Sequence, residues 1–183
     1  MRKTWTSALV WLGAVSAALL LAWLAPNETR VMGQLPVLTA HTPDRQAIAL
    51  PHGLPAERTL ALITFHGAQQ ASIEGWIHGL RLQDDPAIVW VRMPVLNDTG
   101  NADRRSAIET KLSRKYPAEA ERDRLMPVFT DRDQFVRAAG LNGTDQVYAV
   151  VINRRGEVLA RVEGGFDPDK AQNLRETLLA QNF

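Results

Sequence analysis

VYAVVINRRGEVLARVEGGFDPDKAQNLRETLL, residues 147–179, is the stretch whose reading decides the fold. Residues 147–152 are an unbroken run of β formers, the pattern of a strand buried on both faces. Asn153-Arg154-Arg155-Gly156 is a turn signal. Residues 157–163 then alternate, with Val158, Ala160 and Val162 on one face. So short a connection forces the two strands into an antiparallel hairpin. Asp167 is placed to cap a helix, and Pro168 fits its first turn. Ala171, Leu174 and Leu178 form the buried stripe of that helix.

Upstream, residues 59–65 (TLALITF) and 87–93 (AIVWVRM) are further short apolar runs that suit buried strands. Between them Ile73, Trp76, Ile77 and Leu80 recur at helical spacing, which predicts a helix over 69–82. Gly75 and Gly79 weaken it by up to about 1 kcal/mol each and leave room for close packing, against the sheet or the N-terminal segment. A loop at 97–100 leads to a helix over 102–116, where Ile108, Leu112 and Tyr116 are spaced by four. A short strand follows at 126–129. The next helix opens at Asp131, with Gln134 placed for a capping box, and stops before Gly140. A further short strand is expected at 47–50, closed by a turn at Pro51, Gly53 and Pro55. The order is β-α-β-α-β-α-β-β-α. Strands separated by helices pair in parallel, so the expected fold is a three-layer α/β/α sandwich with a mixed sheet.

The N-terminus has a different character. Arg2 and Lys3 precede an uncharged run over residues 4–25. As a helix that run is roughly 33 Å long, enough for a hydrocarbon core of about 30 Å. Trp5 and Trp23 stand near its ends, where amphipathic rings favour the membrane interface. The run exceeds a signal-peptide core, and cleavage after Ala25 would put bulky Trp23 in a small-residue position. It is therefore expected to be a retained transmembrane anchor at an inner, cytoplasmic-type membrane. The N-terminus would be cytoplasmic and the domain periplasmic or equivalently extracytoplasmic. Residues 1–26 read as anchor, 27–45 as linker and 46–183 as the folded domain.

The chain has 183 residues, with 21 basic and 20 acidic side chains and a net charge of +1. Such a balance offers no electrostatic footprint for nucleic acid. It contains no cysteine. Disulfides, thiolate catalysis and Cys-based metal centres are excluded together. The four histidines, His41, His52, His66 and His78, form no ligand-spaced pair. Neither a metal nor a cofactor is expected.

Residues 129–178 resemble the thioredoxin-like redoxins of the membrane-tethered, cytochrome-maturation kind. Asp131, Gly140, VYAVVI, Asn153-Arg154-Arg155-Gly156, EVLARVEG and the last helix follow that family's order. Gly33-Gln34-Leu35-Pro36 looks like its opening Gly-x-x-Pro, and LALITFHGAQQASIEGW like its first core strand, active-site loop and helix. The resemblance spans about residues 33–181. The departures are chemical. Counted from Phe65, the family's two redox cysteines fall near Gln70 and Ile73. Its cis-proline falls between Asp145 and Val147, where there is no proline, so that turn is expected to be remodelled. VYAVVINRRGEVLARVEGG is also similar to the ending of thioredoxin-like assembly factors for mitochondrial ATP synthase, which lack the redox pair. That likeness implies a chaperone of a membrane complex.

The expected function is a redox-inactive protein-binding or membrane-complex assembly module. His66 follows the first core strand, at the edge where open α/β sheets bind ligands. His66, Gln69, Gln70 and Ser72 are expected to meet Asp145 and Gln146 around a small polar pocket. A rival reading makes His66 the general base of a non-thiol enzyme or the centre of a small-molecule site. A third reading is a structural spacer with no specific partner. The cations of residues 102–116 read as a solvated face.

Overall fold

The computed structural model describes residues 31–42 and 46–180. Seven strands form one mixed sheet. They are β1 (Leu38–His41), β2 (Ala47–Leu50), β3 (Arg58–Thr64), β4 (Trp90–Asn97), β5 (Val128–Thr130), β6 (Tyr148–Asn153) and β7 (Val158–Glu163). The helices are α1 (Gln70–Gly79), α2 (Ala102–Lys115), the single turn α3 (Glu119–Arg122), α4 (Arg132–Ala138) and α5 (Pro168–Leu179). The sheet order is β2-β1-β5-β4-β3-β6-β7. β3, β4 and β5 run parallel, and every other pairing is antiparallel.

The two faces of the sheet separate by the two-residue period of strands. Ala61, Ile63, Tyr148, Val150 and Ile152 pack with Phe135 and Ala139 of the α4 region. Leu60, Leu62, Ala149 and Val151 pack with Ile73, Trp76 and Ile77 of α1 and with Ala171 and Leu174 of α5. The three layers expected from the sequence are present. Caps hold the helices where expected: Asp131 accepts from the backbone of Gln134, and Asp167 from those of Asp169 and Lys170.

Three expectations are corrected. Residues 31–42, read as part of the 27–45 linker, belong to the folded unit, which begins at Val31. Leu35 and Ala40 are buried, Gln34 bridges Glu157, and β1 pairs with both β2 and β5. A four-residue strand with one buried side chain leaves little periodic signal. The first helix ends at Gly79 rather than at residue 82. Arg81 takes a left-handed φ of 54°, and Leu80 and Leu82 flanking it are both buried. Gly79 packs not against the sheet but against Phe166: a Cβ there would lie 2.4 Å from the ring. Phe166 in turn meets Trp76 edge-on at 5.4 Å.

Among the described residues no helix is long and apolar enough to cross a membrane. The expected span at residues 4–25 lies outside the described residues.

Candidate functional site

β3 delivers Phe65 and His66 to the C-terminal edge of the parallel strands, and a 3-10 turn at Gly67–Gln69 leads into α1. Gln69 is buried and both ends of its amide are engaged. Its Oε1 accepts from the N–H of Phe65 at 2.7 Å and of His66 at 3.1 Å. Its Nε2 donates to the carbonyl of Thr144 at 2.8 Å. Arg132 completes the strand end, donating to the carbonyls of Phe65 (2.7 Å) and Val95 (3.1 Å). One side chain thus satisfies orphan donors at the tip of β3 and ties that tip to the loop before β6. No proline takes part in this junction. The cis peptide bond among the described residues, Leu50–Pro51, lies elsewhere.

Gln70 and Ile73 stand where the resembling family has its thiols. Ile73 is core. Gln70 opens α1 and sits in a polar network. Its Oε1 accepts from the Tyr116 hydroxyl at 2.8 Å and from Lys115 Nζ at 3.2 Å. Its Nε2 donates to Glu74. Glu74 in turn receives Arg92 in a two-pronged pair at 2.7 and 3.3 Å. The Arg92 side chain is 6% exposed and that of Glu74 37%. The guanidinium also lies 5.1 Å from the Tyr116 ring centroid and 5.7 Å from that of Trp90, within cation–π range.

Burial opposes the charge on Glu74. The hydrogen bond and charge of Arg92, with help from Gln70, outweigh it and hold the carboxyl below its ordinary value. Burial pushes the Tyr116 phenol above its ordinary range, so it stays a neutral donor toward Gln70.

Above this network is a cavity of about 120 Å³. Leu62, Phe65, Ile73, Pro94, Leu96, Leu112 and Leu125 make its apolar walls, and His66, Gly67, Gln70, Arg92, Lys115 and Tyr116 its polar lining. Of the expected pocket residues, His66 and Gln70 line it. Gln69 is turned away into the strand junction. Ser72 is half-buried on α1, and Asp145 and Gln146 are exposed; none of these three lines the cavity. Glu74, Arg92 and Tyr116 were missed. The available signal was Arg92 itself: a cation inside AIVWVRM needs a buried partner.

No family model matches the sequence, and no curated protein matches it. Solved structures do. BsSco, a member of the Sco family of cytochrome c oxidase assembly proteins, is 15% identical with a TM-score of 0.52, over 79% of this chain and 91% of that one. A thio-disulfide isomerase of Thermus thermophilus is 17% identical with a TM-score of 0.51, over 82% and 98%. A candidate electron-transfer protein of Aquifex aeolicus VF5 is 11% identical with a TM-score of 0.54, over 82% and 98%. The fold is thioredoxin-like. This example of it has no cysteine anywhere in its 183 residues, so dithiol–disulfide exchange within the chain has no reactive pair to run on.

Proposed function

We propose that this chain is a redox-inactive binding module, tethered by residues 1–26 at the outer face of an inner-type membrane. Its partner is a protein, and its role is recognition or assembly of a membrane complex. The observation that carries this reading is the substitution at the old thiol edge. A hydrogen-bonded, unreactive floor built on Gln70, Glu74, Arg92 and Tyr116 underlies an open, mostly apolar cleft. Concave sites with apolar walls and a few fixed polar groups are the usual form of a binding site.

Gly67 supplies the test. It lines the cleft, and a Cβ added there meets nothing within 4 Å. Gly67→Trp therefore adds a bulky ring at the cleft lining, from a position where its first carbon meets no obstruction. Gly165→Trp, at another unobstructed glycine away from the cleft, is the control. Crosslinking and co-purification from membranes expressing the full chain should lose a specific partner with Gly67→Trp and keep it with Gly165→Trp. Partner recovery that is the same for both variants removes the cleft from the interface. Gly143→Trp, also unobstructed, examines the loop beside Asp145 and Gln146 in the same way.

A further inference from the structure

One wall of the cleft differs from the rest. α2 has no fully buried residue, and Ile108 and Leu112 are only half-buried. It carries Arg104, Arg105, Lys111, Arg114 and Lys115 against Asp103 and Glu109, a net +3 in a chain whose total is +1. At 3.6 residues per turn, Arg104, Lys111 and Lys115 fall in one row, next to the stripe that holds Ile108 and Leu112. Leu112 and Lys115 both line the cleft, so the row meets the cleft at Lys115 and leads away from it along α2. Asp103 and Glu109 lie off that row. Arg105 is committed to Asp98. Among the described residues the side chains of Arg104 and Lys111 have no hydrogen bond or ion pair.

The acidic groups facing this region do not balance the row. Glu74 is spent on Arg92. Glu121 of α3 is close enough for its charge to be felt at Tyr116, and it answers one cation of the row at most. The rim is therefore cationic, beside walls made of leucine, isoleucine, phenylalanine and proline.

We infer that the cleft takes an acidic segment of the partner protein. An apolar side chain of that segment enters between α1 and α2, and flanking carboxylates lie along Arg104, Lys111 and Lys115. The inference rests on the binding-module reading and names the chemistry of its partner. A bilayer of anionic lipid is the competing anion. The row borders a concavity with walls on both sides, a shape that receives an inserted side chain and holds a flat headgroup surface away from the apolar lining.

The experiment selects binders from a random 12-residue peptide library against the full chain in detergent micelles, with Gly67→Trp protein as counter-selection. The expected binders carry Leu, Ile, Met or Phe flanked by Asp or Glu, and they weaken as salt rises. The double variant Arg104→Glu/Lys111→Glu should weaken them roughly tenfold, since each reversal replaces an attraction with a repulsion. Lys170→Glu, on α5, should leave them unchanged. Circular dichroism melts of each variant show whether the fold is intact. Cleft-dependent binders without acidic enrichment, or with unchanged affinity for the charge reversal, overturn the acidic-segment inference and leave the binding-module reading standing. Absence of any cleft-dependent peptide overturns the inference, and so does row-dependent binding to phosphatidylglycerol vesicles without peptide binding. The partner-recovery comparison of Gly67→Trp with Gly165→Trp judges the module reading separately.

Discussion

Glu74→Gln isolates the charge beneath the cleft. Arg92 is almost wholly enclosed while Glu74 keeps some water, so the guanidinium depends on this carboxylate more than the reverse. Removing one partner of a buried pair costs about 3–5 kcal/mol, and an exposed pair is worth about 1 kcal/mol or less. With one partner buried and the other a third open, the expected loss is about 2 kcal/mol. Urea unfolding of the full chain at neutral pH measures it, followed through tryptophan fluorescence, because Trp90 lies against Arg92. Arg92→Met should cost less than Glu74→Gln, since it strands a carboxylate that water still reaches. The double variant should recover part of the loss.

The pH dependence gives the sign. Glu74 titrates below its ordinary value of 4.5 when folded. Its contribution is therefore complete above the unfolded-state value and disappears as pH falls through the lower folded one. Glu74→Gln cannot ionise and lacks that contribution at every pH. The stability gap between the natural chain and the variant should be full at neutral pH and should close below about pH 4. A gap under about 0.5 kcal/mol at neutral pH, or one undiminished at about pH 3, refutes the argument that the guanidinium needs this carboxylate.

Gln69→Ala strands the N–H of buried Phe65 and should cost about 1–3 kcal/mol; hydrogen exchange at Phe65 and His66 should quicken relative to the middle of β3, and unchanged exchange there would show that another group takes over the junction. Gly79→Ala improves helix propensity by about 1 kcal/mol but drives a methyl into the Phe166 ring, so thermal melts should show net destabilisation. In a Phe166→Ala background the sign should reverse, and a loss that persists there would place the clash elsewhere.

The layers of this fold were legible because β3 and β6 are built on short, unbroken apolar runs (residues 60–63 and 149–152) and β7 alternates, while α1 and α5 carry stripes at helical spacing. Each of those patterns has one physical solution once the connections are short. The β1–β2 hairpin was only half legible. Ala40 is the fully buried side chain of β1, and one alanine among polar neighbours has no period. The sheet therefore grew beyond the expected strands on the β5 side. The site was legible in position but not in composition. Counting from Phe65 reached Gln70 and Ile73, and the end of the first core strand gave His66; all three line the cleft. The partners of Gln70 come from residues 45 and 46 positions along the chain, and no local pattern couples them. Asp145 and Gln146 were expected beside the pocket, at the position where the resembling family has its cis-proline. Here Gln69 holds that loop through the Thr144 carbonyl, and the side chains beyond it face water.

The same residues explain how this edge is closed without thiols. In a thioredoxin-like plan the tip of the first core strand, the start of the following helix and the loop before the penultimate strand converge, and each brings backbone donors or acceptors that must be satisfied. Gln69 meets that demand with one amide, and Gln70 passes hydrogen bonds from α2 to Glu74 and on to Arg92. The convergence point is thereby closed by side-chain hydrogen bonds. α2 contributes no fully buried side chain to the core; it is held at this edge by the Tyr116 and Lys115 contacts to Gln70 and by Arg105 pairing with Asp98. The proposed recognition on this edge would need no sulfur, only the spacing between α1 and α2 and the charge that α2 carries.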